Sequence, residues 1–111
     1  MLDKTKAKEI ATSYSLEVAK ALNPEKVILF GSYVNGIPHS GSDIDIAVFV
    51  RGLDDDAWYD ARITLQNLLW NRAYLDIEPH LLDESNDRSG FAQHVIKTGE
   101  IIYQSQFNAA V

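Results

Sequence analysis

The sequence predicts a small α/β fold, or α+β fold in stricter usage, with helices packed mainly on one face of a mixed sheet. Apolar residues recur at helical spacing near the start of the chain, strand-like apolar segments follow, and further amphipathic stretches alternate with these segments. At 111 residues we expect one domain over 1–111, with a core of about 4–103 and a frayed tail over 104–111.

Composition excludes several classes of function. The chain has no cysteine, so neither disulfides nor thiolate chemistry are available. It has no apolar run near the ~20 residues of a membrane helix, and its first residues lack the apolar core of a signal peptide, so we expect a cytoplasmic location. The formal charge of −6 argues against an extended surface that binds nucleic acid, because such surfaces neutralise phosphates with lysine and arginine side chains. A nucleotide that arrives with its metal ion remains compatible with this charge.

The first half of the chain predicts a helix and two strands. The helix covers roughly 4–22 and ends at Asn23-Pro24, because the residue before a proline disfavours helical geometry. The segment Lys26 to Phe30 predicts a strand buried on both faces. A polar loop over 31–42, with one short helical turn, leads to a second strand over Asp43 to Val50.

The second half predicts two helices and two further strands. A helix begins at the acidic run 54–56, since acidic residues suit a helix N-terminus. Its predicted buried stripe comprises Trp58, Ala61, Leu65, Leu68 and Leu69. A third strand is expected over Tyr74 to His80, with Leu75 and Ile77 on one face. An acidic loop over 82–89 precedes a short helix that Gly99 ends as a left-handed cap, and 101–103 predicts a last strand.

Asp43 and Asp45 are the first candidate site residues. Side chains at i and i+2 of a strand share a face, which places their Cβ atoms roughly 6–7 Å apart. Two carboxylates at that separation can lean together around one or two divalent ions. Strands are depleted in aspartate, so the pair needs an explanation. The alternative is that both lie on a solvated face or cap the start of the strand.

Gly31 and Ser32 form the second candidate feature, a turn directly after a buried strand. Glycine lets the backbone approach a ligand closely, and a following helical turn would direct free N–H groups at a phosphate. The serine hydroxyl adds a donor. An isolated Gly-Ser pair is more often an ordinary turn.

Gly31-Ser32, ten intervening residues and then Asp43-x-Asp45 closely resemble the signature of the DNA polymerase β-like nucleotidyltransferase superfamily. Within it the chain resembles the minimal nucleotidyltransferases, or MNT-domain proteins, over roughly 27–103. The resemblance implies that Gly31 and Ser32 bind the triphosphate and that Asp43 and Asp45 bind magnesium, with a two-metal site possible. It also implies a third carboxylate from a later strand.

The best match for that third catalytic and metal-binding carboxylate is Asp76, which lies between apolar residues in the predicted third strand. Glu78 lies on the same predicted face, and could take this role or raise the pKa of its neighbour. The third acid could bind metal or accept a proton. His39, His80 and His94 share no metal-ligand spacing, so zinc is not expected. His80 could line the site at the end of the third strand, but a structural role is favoured.

The resemblance implies an activity and a partner. The activity is transfer of a nucleoside monophosphate, AMP from ATP, to a hydroxyl, with Mg²⁺. MNT proteins resemble the antitoxin half of systems whose toxin is a HEPN-domain ribonuclease, and some transfer AMP to a toxin tyrosine. Two alternatives remain: a non-catalytic binding antitoxin, or a small-molecule, aminoglycoside-type nucleotidyltransferase. Trp58, Tyr59, Trp70 and Tyr74 could include exposed aromatic anchors for the partner.

Overall fold

A four-stranded mixed sheet in the order β3-β2-β1-β4 forms the centre of the protein. The computed structural model describes residues 2–39 and 41–105. Its helices and strands are α1 (Lys4–Leu22), β1 (Lys26–Phe30), β2 (Ile44–Phe49), α2 (Asp55–Asn67), β3 (Ile77–Leu82), α3 (Phe91–Thr98) and β4 (Glu100–Gln104). β1 pairs antiparallel with β2 and β4, whereas β2 and β3 run parallel, which confirms the predicted mixed sheet.

α1 has the predicted bounds, and both of its ends are capped. The Asp3 side chain accepts a hydrogen bond of 2.7 Å from the Lys6 amide. At the other end Asn23 adopts left-handed geometry with φ 49°, and its amide donates to the Ala19 carbonyl. No helix within 2–39 or 41–105 is long and apolar enough to cross a membrane.

The two faces of the sheet carry separate apolar clusters. α1 and α2 pack on one face, where the buried Tyr14 hydroxyl donates to the Leu65 carbonyl at 2.8 Å, and burial raises the pKa of Tyr14. α3 packs on the other face, where Ala92 and Val95 join a cluster with Ile28, Ala47 and Phe49. Two of the three helices therefore share one face, as predicted, and the opposite face is covered by α3 alone among the described helices.

β3 begins three residues later than predicted. Arg72–Tyr74 forms a 3₁₀ turn, which the Asn71 side chain caps by accepting from the Ala73 amide at 2.9 Å. β3 then runs from Ile77 to Leu82, so the predicted strand over Tyr74 to His80 is wrong at both ends. Leu75 is 73% exposed and does not share the buried position of Ile77. The second strand is also shorter than predicted, with 44–49 in place of 43–50.

Gly99 ends α3 without the predicted left-handed cap, since its φ of −89° and ψ of 178° are extended. Glycine is required there for a different reason. A Cβ at this position would overlap the Ile28 side chain and lie 2.8 Å from the Val95 carbonyl oxygen and 2.9 Å from that of Leu29. The missing side chain thus allows α3 and β1 to approach closely.

Gly99→Ala is expected to lower the free energy of unfolding by about 1–3 kcal/mol, the usual cost of overpacking a well-packed site. Gly41→Ala is the matched control, because Gly41 has its nearest neighbours at 3.6 Å, in ordinary van der Waals contact. Urea denaturation of both variants measures the difference. Equal stability of the two variants would contradict the close approach of α3 to β1.

Residues 104 and 105 are held by backbone pairing, although the sequence predicted a frayed tail from residue 104. Gln104 belongs to β4, and the Ser105 amide donates to the Glu25 carbonyl at 2.9 Å. The prediction of fraying is therefore wrong for residues 104 and 105. The rest of the predicted tail, 106–111, lies outside the described residues.

Candidate active site

The Gly31-Ser32 turn lies directly against Asp45. Gly31–Tyr33 forms a single 3₁₀ turn at the end of β1, and Gly31 has a φ of +84°, which disfavours any residue with a side chain. A Cβ on Gly31 would overlap Asp45 Oδ2 and lie 3.3 Å from Asp45 Cγ. The two sequence motifs, ten residues apart, therefore meet in space.

Asp43 and Asp45 hold different positions at the start of β2. Asp43 is exposed and immediately precedes the strand, whereas Asp45 is half-buried within it. By strand alternation Asp45 shares a face with Ala47 and Phe49, the face that α3 covers. Of the two predicted metal-binding acids, Asp45 therefore lies inside β2 and Asp43 lies just before its first residue.

Glu78 is the acid that β3 brings to Asp45. The parallel register pairs Asp45 with Glu78, so the two side chains project from the same face of the sheet. Partial removal from water, a hydrogen bond with Asp43 and the negative charge of Asp45 raise the pKa of the Glu78 carboxyl above its ordinary value. Negative charge is thus crowded at one end of the sheet, which is the electrostatic character of a cation site.

Asp76 is positioned differently. It precedes β3 and is exposed, and its backbone carbonyl accepts from the Ile44 amide at 2.7 Å. Within the described part of the chain, the cluster with metal-ligand geometry comprises Asp45, Glu78 and His80, whose ligand atoms all lie within 4.8 Å of one another. Asp76 is outside this cluster. Of the two acids that the sequence left open, the geometry favours Glu78.

His80 belongs to this cluster, although the sequence favoured a structural role for it. It lies inside β3, where its Nε2 is 3.4 Å from Asp45 Oδ1 and its ring centroid is 5.2 Å from that of Phe30. The spacing between histidines in the sequence could not reveal this cluster, because its other members are acids. One of them, Asp45, lies in a different strand. The available signal was alternation, since residues 78 and 80 share a face of one strand.

An open groove of about 460 Å³ adjoins the turn and could receive part of a ligand. It runs between the turn and α3 and is lined by Phe30, Gly31, Ser32, Asn35, Gly36, Phe91, His94 and Thr98. Beside it, the carboxylate oxygens are ligands of the kind that Mg²⁺ takes in proteins. A glycine-serine turn, carboxylate oxygen ligands and a neighbouring groove together suit a metal-bound nucleotide.

Comparison with known protein families identifies the domain. The family model described as "Polymerase beta, Nucleotidyltransferase" matches residues 8–108. The chain belongs to this nucleotidyltransferase family. The sequence resemblance and the predicted fold class are both confirmed by this match. A search of curated proteins gave no match.

Solved structures with the same fold include a toxin-antitoxin complex of a HEPN toxin with an MNT antitoxin. A Sulfolobus solfataricus protein, described as a candidate nucleotidyltransferase, is 22% identical, with a TM-score of 0.67 over 91% of this chain and 83% of its own. A toxin-antitoxin structure with AMP-PNP is 28% identical, with a TM-score of 0.58 over 87% and 76%. A complex of tri-AMPylated Shewanella oneidensis HEPN toxin with its MNT antitoxin is 23% identical, with a TM-score of 0.56 over 93% and 77%.

Proposed function

We propose that this nucleotidyltransferase transfers AMP from ATP, with Mg²⁺, to a hydroxyl on a partner protein, a HEPN-domain toxin, and so acts as its antitoxin. The observation that carries the proposal is the contact between the Gly31 backbone and Asp45, which joins a phosphate-binding turn to the acid cluster. Family membership supports the chemistry. The toxin-antitoxin complexes among the solved structures, one of which contains a HEPN toxin and an MNT antitoxin, support the partner.

Each site residue has a role in binding the donor. The backbone at Gly31 and the hydroxyl of Ser32 bind the triphosphate as hydrogen-bond donors. Asp43, Asp45 and Glu78 would hold magnesium, and a bound cation would offset the negative charge that these carboxylates bring together. The bound ion supplies neutralising charge to the phosphates and to the leaving pyrophosphate.

The reaction is a displacement at the α-phosphorus. The acceptor oxygen forms a bond to that phosphorus, the bond to the bridging oxygen of the β-phosphate breaks, and pyrophosphate leaves with both electrons of the broken bond. The hydroxyl proton passes to solvent. The protein contributes mainly by holding donor and acceptor in line, which accounts for most of the catalysis in reactions of this type.

The third carboxylate can be tested by paired variants. Glu78→Gln is expected to lower the transfer rate by roughly a hundredfold or more, because it removes a charge that faces Asp45. Asp76→Asn is expected to lower it by less than about tenfold, since that side chain lies outside the cluster. Single-turnover transfer assays measure both. The reverse order would return the third role to Asp76.

The partner is expected to dock near the start of β3, because exposed apolar side chains precede the strand that carries Glu78. Trp70 is 86% exposed and Leu75 is 73% exposed, and both precede the strand that carries Glu78. Of the other aromatic residues considered from sequence, Tyr74 is buried, with its hydroxyl 2.9 Å from Ser13 Oγ, and cannot serve as an anchor. Exposed aromatic residues are typical centres of protein interfaces.

Trp70→Ala is therefore expected to weaken partner binding by about tenfold or more, as loss of an interface aromatic residue typically does. Ile101→Ala is the control, because Ile101 is 51% exposed on β4, at the opposite edge of the sheet. Calorimetric titration of the toxin into each variant measures the affinity. Equal affinities for the two variants would place the interface elsewhere.

Transfer itself is tested with ATP labelled at different phosphates. With the partner and Mg²⁺ present, label on the α-phosphate should become covalently attached to the partner, whereas label on the γ-phosphate should leave with pyrophosphate. Attachment of the γ label would show phosphoryl transfer, and attachment of neither would contradict nucleotidyl transfer to this partner.

A further inference from the structure

His80 shares one face of the sheet with Asp45 and Glu78. It stands two residues after Glu78 in β3, so both side chains project from the same face as Asp45 in β2. One of its ring nitrogens, together with one carboxylate oxygen each from Asp45 and Glu78, forms the cluster whose atoms all lie within 4.8 Å of one another. The cluster thus offers one nitrogen and two oxygen ligands.

Two aromatic rings fix the orientation of the imidazole. The His80 ring is half-buried, with its centroid 5.2 Å from that of Phe30 and 6.1 Å from that of Phe91. Packing between these rings holds Nε2 towards the carboxylates. Little side-chain entropy would then be lost when the nitrogen binds an ion.

The distance from Nε2 to Asp45 Oδ1 suits two ligands of one ion. At 3.4 Å it is longer than the 2.7–3.2 Å of an ordinary hydrogen bond between nitrogen and oxygen. Two ligand atoms in neighbouring positions around an octahedral ion, each about 2.1 Å from it, are about 3.0 Å apart. The two side chains would therefore need to approach each other by only about 0.4 Å to hold a cation between them.

We infer that His80 Nε2 is a direct ligand of the cation held by Asp45 and Glu78, and that the site therefore prefers Mn²⁺ to Mg²⁺. Imidazole nitrogen favours transition metals, whereas carboxylate oxygen accepts both ions. The inference rests on the proposed function only for the place of the cation. It requires neither ATP, nor a partner, nor transfer.

Pulsed electron paramagnetic resonance of the Mn²⁺-loaded wild-type protein tests direct ligation. A bound imidazole nitrogen produces a modulation of the electron spin echo, which we expect in the wild type and in His94→Ala, and not in His80→Gln. His94 is the matched control because it is exposed on α3 and outside the cluster. If the wild-type protein, fully loaded with Mn²⁺, shows no nitrogen modulation, the inference is wrong, whatever the variants show.

Binding measurements supply the second part of the test. We expect the wild type to bind Mn²⁺ at least about tenfold more tightly than Mg²⁺. His80→Gln should lose most of that preference, because its affinity for Mn²⁺ falls while its affinity for Mg²⁺ stays the same. Equal affinities for the two ions, or no Mn²⁺ binding, would overturn the inference. A protein that shows nitrogen modulation but transfers no AMP would contradict the proposed function and leave the metal assignment standing.

Discussion

Replacing Asp45 with asparagine is expected to lower nucleotidyl transfer by at least about 1000-fold and to leave the metal-free protein as stable as the wild type, or more stable. The loss of activity follows from the position of Asp45, between the Gly31 turn and the side chains of Glu78 and His80. The stability follows because the change removes one of the charges crowded at the start of β2 and β3. Single-turnover kinetics and thermal unfolding measure the two effects.

Asp60→Asn is the matched control for Asp45→Asn, because it removes the same charge from an exposed position on α2, away from the cluster. This variant should keep near wild-type activity. A clear loss of thermal stability in metal-free Asp45→Asn would show that the acid is structural. The functional assignment of the strand would then be wrong.

Gly31→Ala is expected to lower transfer by roughly a hundredfold and the free energy of unfolding by about 1–3 kcal/mol. Two effects combine at this position. The φ of +84° strains any residue with a Cβ, and the added carbon would displace the Asp45 carboxylate. Binding of a non-hydrolysable ATP analogue with Mg²⁺, measured by calorimetry, should weaken in parallel.

Gly52→Ala separates these two effects. Gly52 also has a positive φ, of +69°, but a Cβ there would have no atom within 4 Å. This variant should lose about 1 kcal/mol of stability from backbone strain and keep its nucleotide affinity and activity. If Gly31→Ala behaves no differently from Gly52→Ala, contact between the turn and Asp45 has no part in the site.

The sequence was most informative where local chemistry dictates structure. Apolar spacing and the two capping residues determine α1, and a run of β-branched and apolar residues determines β1. The positions of Gly31, Ser32, Asp43 and Asp45 in the chain identified the family before any geometry was available. These features depend on residues close together in sequence, so a pattern can report them.

Features that depend on packing between distant segments were not predictable in the same way. Residues 76 and 78 are two apart and would share a face of a strand, so alternation alone cannot decide which of these acids pairs with Asp45. The decision lies in the register of β2 with β3, which pairs Asp45 with Glu78, and in the 3₁₀ turn at Arg72–Tyr74 that delays β3. Likewise, Gly99 is required because a Cβ there would overlap the side chain of Ile28 in β1. These two residues are far apart in the sequence, so no local pattern reveals the contact.

The central claim is tested most directly by the intact mass of the HEPN-domain partner after co-expression with this protein. The account predicts that the partner gains one or more AMP units with the wild type and none with Asp45→Asn, while the two proteins still form a complex. An unmodified partner that binds the wild type and Asp45→Asn equally well would contradict transfer, and would identify the protein as an antitoxin that acts by contact alone.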